Sequence, residues 1–528
     1  MKLRQRAVIS GVGLTVLTLF YVFVETIYNV NPEKLPVFLK NSMAKAGNEY
    51  DGSHISAIRK RLDKSNYTSD DFSPEGGGDK APGVKKNNLH SSSDDRRSRK
   101  DGVESWVVSP LLLRINETDS EVDMLLDKLQ NFDRRKFDFT KLKTIPYYDY
   151  LKTLRKRIKR KGTSLDAFRT FIGSLTTSWE RFHKGIHQYH LYNPDESTVD
   201  DLLKDVTQEP IVDVELKEGG TQLKLIITFS DEGQALFKPM RYPREQETLP
   251  NHFYFSDYER HNAEVAAFHL DRVLGFYRVP PTAGRIVNMT RDIKRLADHK
   301  LAKTFFISPA NNLCFHGSCS YYCDTSHAIC GTPDVLETSM AAFLPPDKIA
   351  ARKTWRNPWK RSYSKHRKAY WEVYDDLCDK VKLKSPYNTG RRLLDLMDTH
   401  IFDFLTGNMD RHHYETFKDF GNDTFHLHLD NGRSFGKWRQ DEMSILAPVF
   451  QCCKIRYSTF MKLAKFYIGP DKLSSLLKAS TSRDRIFPVL IENHLLALDR
   501  RVMKILKEIS ICIENGNDIM DVIGDDHF

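Results

Sequence analysis

The chain begins with an uncharged segment that decides the environment in which the remaining residues fold. Residues 7–24 carry no charge, basic residues precede them, and Glu25 follows. A helix of this length crosses a bilayer, at the short end of the usual range, which favours the thin membranes of the early secretory pathway. Positive charge before the span orients the N-terminus to the cytosol. We therefore expect a cytoplasmic tail at residues 1–6, a signal anchor at 7–25 and a single-pass type II protein with a lumenal domain.

The cysteines fit this compartment. All of them follow the anchor, and an even number in an oxidising lumen predicts disulfides, although eight cysteines permit about 105 pairings. Neighbours Cys452 and Cys453 are expected to join different partners. A zinc site at the first four is the weaker alternative, because none of their spacings has the C-x-x-C form. The cysteines are Cys314, Cys319, Cys323, Cys330, Cys378, Cys452, Cys453 and Cys512.

Four sequons predict N-glycosylation, which requires a lumenal location. Each has the Asn-x-Ser/Thr form that the glycosylating machinery accepts. Their asparagines are Asn66, Asn116, Asn288 and Asn422.

Composition divides the lumenal part. Residues 48–105 are rich in Ser, Asp, Gly, Lys and Asn, too poor in apolar residues to order themselves, so we expect a flexible stem at 26–135. The net charge of +10 is modest for this length. The basic run at 155–161 is read as a solvated helix face, with an anionic contact as the alternative. A lumenal domain is not expected to bind nucleic acid.

The first patterned region predicts a hairpin followed by a helix. "QLKLIITF" at 222–229 alternates like a strand, Asp-Glu-Gly makes a turn, and "QALFK" at 234–238 returns as a second strand. Residues 259–276 then repeat apolar side chains at helical spacing. The region therefore presents Lys238 on a strand and Glu259 early in a helix.

A short apolar strand interrupted by two prolines, "SMAAFLPP" at 339–346, suggests a hinge. Beyond it the pattern is mainly helical, with a helix predicted within residues 391–408 and capped by Gly407. We therefore predict an α+β, two-lobed molecule with a cleft between its lobes. The N-lobe and its insertions span 136–345, the C-lobe spans 346–515, and 516–528 is a tail.

Two aspartates in the C-lobe point to phosphoryl transfer. Asp410 lies in a polar loop after the helix, and Asp430 ends a predicted strand, "FHLHLD", before a Gly-containing turn. A catalytic aspartate followed about twenty residues later by a metal-holding aspartate is the arrangement of phosphotransferases. Lys238 would supply a cation that binds phosphate. Glu259 would supply an acid that holds either this lysine or a metal ion. Each residue alone is weak evidence, and their order along the chain favours this reading.

The histidines offer a competing reading. Together with the two aspartates, His412, His413, His426 and His428 could build a metal hydrolase. This alternative leaves Lys238 and Glu259 unused. Histidines satisfied by polar neighbours are the simpler interpretation. The Gly-rich loop, His-Arg-Asp and Asp-Phe-Gly motifs of ordinary kinases do not occur, so only a divergent kinase fits.

Several long runs resemble the secretory-pathway kinases known as "family with sequence similarity twenty", most closely the Golgi casein kinase branch. They include "GQALFKPMRYPREQET", "YFSDYERHNAEVAAFHLDRVLGFYRVPP", "FISPANNLCFHGSCSYYC", "KTWRNPWKRSY", "GNMDRHHYETF" and "HLDNGRSFG". The likeness covers residues 105–513. It implies an atypical, disulfide-bonded, protein-kinase-like fold that binds ATP and manganese, with magnesium as the alternative ion.

The resemblance also implies roles for individual residues. Asp410 corresponds to the catalytic aspartate, and Glu259 and Asp430 to the metal ligands. The implied ATP-binding positions are Gln222, Lys224, Lys238, Glu259, the hinge residues Ala341, Ala342, Phe343 and Leu344, Glu415 and Asp430. The implied disulfides are Cys314–Cys330, Cys319–Cys323, Cys378–Cys452 and Cys453–Cys512.

The function implied by the resemblance is phosphorylation of serine in Ser-x-Glu motifs of secreted proteins by a Golgi membrane enzyme. A xylose kinase of proteoglycan linkers, from the same family, is the alternative. One family member lacks the glutamate and acts as an activating pseudokinase, so Glu259 favours an active enzyme. The basic, aromatic segment at 355–371 suits an acidic peptide, or is a solvated loop anchored by tryptophans. Dimerisation, with itself or a pseudokinase relative, and release after stem cleavage are further implications.

Overall fold

The computed structural model describes residues 119–157, 163–165 and 177–526. The predicted anchor at 7–25 and the predicted glycosylation sites Asn66 and Asn116 lie outside these ranges. Within them, no helix combines the length and the apolar character needed to cross a bilayer.

Helices are the main regular elements after residue 360 and flank the sheet before it. In chain order they are α1 (Ser120–Phe132), α2 (Phe139–Leu142), α3 (Tyr147–Arg157), α4 (Ser178–Lys184), α5 (Thr198–Gln208), α6 (His261–Leu274), α7 (His299–Ala302), α8 (Leu377–Lys382), α9 (Arg392–Thr406), α10 (Ala447–Cys452), α11 (Tyr457–Ile468), α12 (Leu473–Thr481), α13 (Glu492–Glu514) and α14 (Ile519–Val522).

Strands form one main sheet and three small ones. The strands are β1 (Ile211–Leu216), β2 (Leu225–Phe229), β3 (Gln234–Pro239), β4 (Thr282–Asn288), β5 (Phe305–Ile307), β6 (Leu313–Phe315), β7 (Ile329–Cys330), β8 (Val335–Ala342), β9 (Arg352–Arg356), β10 (His413–Phe417), β11 (Ile455–Arg456) and β12 (Ile523–Gly524).

The main sheet is antiparallel and has the strand order β1-β2-β3-β8-β4. The predicted hairpin forms its centre, with a turn in which Gly233 donates its N–H to Asp231 at 3.0 Å. The Trp179 ring lies so close that a Cβ at Gly233 would be 2.4 Å from it. The first strand begins at Leu225 rather than at the predicted Gln222, whose side chain is bound to the loop at 257–259.

Helix α6 packs against this sheet and confirms the predicted helix, with different ends. It starts at His261, because Arg260 is still extended and donates its N–H to the Gly432 carbonyl at 2.7 Å. It ends before Gly275, which has a φ of 65°. Glu259 therefore precedes the helix, contrary to the prediction. The first-turn acid of α6 is Glu264.

The C-terminal part is built around α9 and α13. Every residue of α9 is buried, and Gly407 ends it with a φ of 75°, as predicted. Its first turn carries Asp395, which Arg278, Arg391 and Arg456 contact at 2.7–3.0 Å. Because Arg278 follows α6, this buried cluster joins the segment after α6 to the helical part.

The predicted strand at 425–430 does not form. Only Leu427 makes a bridge, to Glu415, and its neighbours are irregular. The alternation arises because both sides of the segment are buried. Phe425 and Leu427 are 1% exposed. The His426 ring stacks on Tyr414, and the His428 ring packs at a tilt against Phe402.

Four disulfides join the same pairs that the resemblance implies: Cys314–Cys330, Cys319–Cys323, Cys378–Cys452 and Cys453–Cys512. All cysteines are bonded, which leaves none for the alternative zinc site. Cys453 has a positive φ of 46° and follows the last residue of α10. The adjacent residues Cys452 and Cys453 thereby connect α10 to α8 and to α13.

Two predicted domain boundaries are corrected. Helix α1 lies within the range predicted as stem, yet its residues Val122, Leu125, Leu126 and Leu129 are buried, and it packs against α13. The predicted tail after residue 515 contains α14 and β12, which pairs in parallel with β11. Both ends are ordered because they cover apolar surface that the sequence pattern alone does not reveal.

Candidate active site

A buried lysine lies at the centre of a cluster of charges. Strand β3 places Lys238 on the inner face of the sheet, where it is 4% exposed. Its Nζ lies 2.8 Å from Glu259 Oε2 and 3.0 Å from Asp430 Oδ1, and it also donates to Glu264. Lys224, from the segment before β2, lies 2.8 Å from Asp430 and 3.5 Å from Glu259. Two lysines thus meet three carboxylates.

The charges in this cluster shift one another's proton affinities. Lys224 and Lys238 hold the pKa of Asp430 well below its ordinary value. Burial acts to raise the pKa of Glu259, but the two lysines outweigh it and lower that pKa. Burial also opposes the charge on Lys238, yet Glu259, Glu264 and Asp430 raise its pKa well above the ordinary value. Asp430, Glu259 and Lys238 are therefore ionised at neutral pH.

The three carboxylates fit a divalent cation. One oxygen from each of Glu259, Glu264 and Asp430 lies within 4.8 Å of the others. Glu259 Oε2 is buried and is paired with Lys238 Nζ at 2.8 Å. Manganese and magnesium both prefer oxygen ligands, and two lysines leave the three acids with an excess negative charge. Glu259 and Asp430 are the predicted metal ligands, and Glu264 joins them.

A cavity of about 310 Å³ opens beside the cluster. Strand β8 and the residues after it form one wall, and the irregular segment at 428–431 forms another. Most of the implied ATP-binding residues line it: Lys224, Lys238, Ala341, Ala342, Phe343, Leu344, Glu415 and Asp430. The strand ends at Ala342, so Phe343 and Leu344 are the first residues beyond it, at the predicted hinge.

Gln222 and Glu259 do not line this cavity. The buried Gln222 side chain donates to the Asp257 carbonyl and accepts the Glu259 N–H, both at 2.9 Å. It therefore fixes the loop that aims Glu259 at Lys238. At the cavity wall, Glu415 is held by Arg352, whose Nε donates to it at 2.9 Å.

Asp410 occupies the loop after α9, as predicted, and lines a second, small cavity of about 40 Å³. Its Oδ1 lies 2.7 Å from His412 Nδ1, and its Oδ2 accepts a hydrogen bond from Arg433. His412 Nε2 lies 3.0 Å from the Tyr254 hydroxyl, which also donates to the Ser362 carbonyl at 2.8 Å. His412 and Arg433 thus each bind one oxygen of the Asp410 carboxylate, and each of these two side chains is fixed by further hydrogen bonds.

Several of these residues were not anticipated from the sequence. Glu264 was missed although it is an acid in the middle of an apolar helical run, which was the available signal. Arg433 and Arg411 carry no such signal. Arg411 joins the two aspartate segments, since it contacts Asp403 and donates to Asn431 at 2.8 Å and to the Leu429 carbonyl.

The histidines do not form the metal site of the alternative reading. Among the described residues, the carboxylate group at Lys238 is the one cluster with metal-binding geometry, and it contains no histidine. Burial holds the pKa of His426 and His428 well below the ordinary value, and both lie 3.3 Å from the Thr399 hydroxyl. They belong to the core. His412 instead contacts Asp410, and His413 is exposed on β10.

Two predicted glycosylation sites are described. Asn422 is exposed. Asn288 is partly buried, and its amide donates to Asp334 at 2.9 Å. Attachment of a sugar at either position stays a prediction.

Comparison with known proteins identifies the family to which the chain is similar. Residues 177–519 match the family described as "Golgi casein kinase, C-terminal, Fam20". The Homo sapiens protein named "Extracellular serine/threonine protein kinase FAM20C" is 58% identical over 350 residues, 66% of this chain and 60% of the human protein. A Drosophila melanogaster protein, "Extracellular serine/threonine protein CG31145", is 60% identical over 337 residues, 64% of each chain.

A more distant human relative, "Glycosaminoglycan xylosylkinase", is 39% identical over 343 residues, 65% of this chain and 81% of that protein. The solved structure described as "crystal structure of the Golgi casein kinase with Mn/ADP bound" superposes with a TM-score of 0.68 at 44% identity. It covers 76% of this chain and 92% of that one. The predicted two-lobed, protein-kinase-like fold is thereby confirmed, and the chain belongs to the Fam20 family.

Proposed function

We propose that this chain is an ATP-dependent serine/threonine protein kinase that phosphorylates serine in Ser-x-Glu motifs of secreted proteins. The observation that carries the proposal is the cluster of Lys238, Glu264 and Asp430 in the lining of one cavity, with Glu259 bound to Lys238 behind it, and Asp410 in the lining of a second cavity. The names of the human and fruit-fly relatives support this activity, although the chain spans only 60% and 64% of their lengths.

The residues divide the reaction between them. Manganese, or magnesium, would be held by Glu259, Glu264 and Asp430 and would supply positive charge to the phosphates of ATP. Lys238 adds a fixed cation that binds phosphate oxygen. Asp410 accepts the proton of the serine hydroxyl as its oxygen bonds to the γ-phosphorus and ADP leaves. His412 and Arg433 keep the Asp410 carboxylate in place.

The protein is proposed to act as a type II membrane protein of the Golgi, with release after stem cleavage as a second form. Four disulfides support folding in an oxidising lumen. The exposed basic residues Arg356, Lys365, Arg367 and Lys368 support acidic proteins as substrates. In this segment Trp359 and Trp371 are buried, as expected for a loop anchored by tryptophans. Pairing with a second copy or a pseudokinase relative stays a prediction.

The test offers three acceptors to the purified full chain with labelled ATP and manganese. These are a Ser-x-Glu peptide, the same peptide with alanine in place of serine, and a xylose-containing tetrasaccharide. We expect label on the serine peptide alone, and its loss in Asp410→Asn. Label on the tetrasaccharide would favour the alternative function, which the xylosylkinase relative supports. Label on none of the three would contradict catalysis.

A further inference from the structure

We propose that Arg433 reads an acidic side chain of the acceptor, two residues beyond the reacting serine, as well as holding Asp410. The inference rests on the proposed kinase function and names the residue that selects its substrate. It follows from the position of Arg433, from the hydrogen bonds that the guanidinium makes, and from the other charges around the same cavity.

Arg433 lies on the acceptor side of the candidate active site. It lines the small cavity together with Asp410, and it does not line the larger cavity that contains Lys238 and Asp430. An acceptor hydroxyl that reaches Asp410 must therefore come within contact distance of the Arg433 guanidinium. Its side chain is only 7% exposed, so an acid that pairs with it is also withdrawn from water.

The guanidinium is fixed but keeps donors to spare. Its Nε donates to the Asp257 carbonyl at 3.2 Å, its Nη1 donates to Asp410, and its plane lies 5.2 Å from the centre of the Phe255 ring. Its Nη2 makes no hydrogen bond to any residue that the structure describes. A guanidinium presents its donors as a fork that matches a carboxylate, so the remaining edge suits an acid.

Most of the other charged groups around this cavity have partners of their own. Asp257 is bound by Arg260 at 2.9 Å, and Glu442 accepts a hydrogen bond from Ser444. Arg501 is bound to Asp441 and to backbone carbonyls. Lys437, which donates to the Pro250 carbonyl at 2.8 Å, adds positive charge at the rim. Apart from Arg433, Lys437 is therefore the cation in this cavity lining whose donors are least used by the described residues.

Extended-chain geometry sets the distance along the acceptor. In an extended peptide, residues i and i+2 project from the same side, roughly 7 Å apart. A serine aimed at Asp410 thus carries the side chain two positions later over the same cavity, whereas the intervening side chain points away. A glutamate has the length to reach back to the guanidinium, which accounts for an acidic residue at that spacing.

The experiment compares two acceptor peptides that differ only by Glu or Gln two residues after the serine. The full chain, with ATP and manganese, is expected to show a kcat/KM ratio for Glu over Gln of roughly 10- to 100-fold, the size of a charge-assisted hydrogen bond. Arg433→Gln lowers turnover of both peptides, because Asp410 loses a contact, and brings the ratio close to one. Arg433→Lys keeps the charge without the fork and gives an intermediate ratio.

Two controls and one further variant separate recognition of the acceptor's acidic side chain from positioning of Asp410. Arg439→Gln removes an exposed arginine that pairs with Glu247 outside the cavity, and it is expected to leave the ratio unchanged. Binding of manganese and ADP to Arg433→Gln, followed by thermal shift, shows that the variant is folded. Lys360→Gln tests whether the basic segment at 355–371 carries the preference instead.

The outcomes are distinct. An equal loss on both peptides in Arg433→Gln, with the ratio intact, would mean that Arg433 only positions Asp410. Collapse of the ratio in Lys360→Gln alone would assign the reading to the basic segment. Equal labelling of both peptides by the unmodified chain would overturn the inference and leave the kinase function standing. No labelling of either peptide would overturn both.

Discussion

Asp430 has a φ of 53°, a backbone conformation that residues with a Cβ rarely adopt. Such a conformation persists only where the surroundings enforce it. Here Arg411 enforces it from both sides, through the Leu429 carbonyl and the Asn431 side chain, and Asp403 holds Arg411 in turn. The backbone strain directs the Asp430 carboxylate toward Lys224 and Lys238.

Substitutions of Asp430 and Asp410 are expected to impair different properties, nucleotide binding for the first and turnover for the second. Asp430→Asn removes a charged ligand, so we expect manganese-dependent ADP binding to weaken by about 100-fold. Asp410→Asn leaves the cation cluster intact, so ADP binding stays close to that of the unmodified chain while kcat falls about 10²- to 10⁴-fold. Calorimetry measures the first quantity and labelled ATP the second. Equal loss of nucleotide binding in both variants would contradict this division of roles.

The order of Lys238, Glu259, Asp410 and Asp430 along the chain was enough to predict a phosphotransferase. The contacts of Gln222 were not predictable, because a glutamine before a strand reads equally well as part of the ladder. Arg433 was missed because an arginine in a polar loop has no periodicity to mark it. Residue types along the sequence thus indicate which side chains can take part in a reaction. The contacts that each side chain makes depend on tertiary packing, which the sequence pattern does not show.

The C-terminal end of helix α9 positions the loop that carries Asp410. Gly407 takes the left-handed conformation there, and its N–H bonds to the Phe404 carbonyl at 3.2 Å. Asp410 follows three residues later, with its own N–H on Asn408 at 3.0 Å. The direction in which the loop leaves the helix thus determines where the carboxylate lies.

Gly407→Ala is expected to lower the free energy of unfolding by about 1–2 kcal/mol, because alanine is strained at a φ of 75°. A Cβ there meets only Arg501, at an ordinary 3.6 Å, so the penalty comes from the backbone. Denaturant unfolding measures it, and kcat should fall as Asp410 shifts.

Gly185→Ala is the matched control, since Gly185 also ends a helix but has a φ of −74°. We expect it to change stability little. Equal effects of the two substitutions would show that the left-handed conformation is not the cause.

At the level of elements, periodicity predicted the hairpin, α6 and α9, each of which has one clear apolar stripe or alternation. Periodicity wrongly predicted a strand at residues 425–430. There, alternate side chains are buried on both sides of the segment, whereas the prediction assumed one buried and one solvent-facing side. The predicted limits of stem and tail failed for a related reason. Segments such as α1 and α14 become ordered by covering distant parts of the chain.

For the molecule as a whole, a buried acid makes stability depend on pH. Asp271 on α6 is fully buried, and its Oδ2 accepts the N–H groups of Arg278 and Val279 at 2.8 and 3.2 Å. Its other oxygen lies 3.5 Å from His428 Nδ1. Burial raises the pKa of Asp271 to about 7, against the two backbone N–H groups, which lower it.

Stability should therefore fall as the pH rises from about 4 to about 7, because the unfolded chain ionises Asp271 while the folded chain keeps it protonated. The loss from this one group is up to about 4 kcal/mol. Asp271→Asn can make the same hydrogen bonds without titrating, so its unfolding free energy should depend less on pH across this range. Denaturant unfolding at several pH values measures the difference.

The exposed Asp419→Asn serves as the control for that comparison and should follow the unmodified chain. Parallel curves for the unmodified chain and Asp271→Asn would contradict a protonated Asp271 in the native state.

The segment at 517–526 also belongs to the folded molecule. Val522 and Ile523 are fully buried, and Asp526 accepts the Ser458 N–H at 2.9 Å. Ending the chain after Gly516 should lower the free energy of unfolding by roughly 3 kcal/mol or more, given the apolar side chains removed. A thermal melt measures this, and an unchanged midpoint would show that the segment is dispensable.

The adjacent cysteines at 452 and 453 have a consequence for producing the protein. Because they are neighbours, exchanging their partners would move each sulfur by about one residue, so a mispaired isomer lies close to the native one. The left-handed turn at Cys453 is what sends the two side chains in different directions. Yield from a host should therefore track its capacity to reshuffle thiols more than its capacity to oxidise them, and peptide mapping of the product would reveal the swapped form.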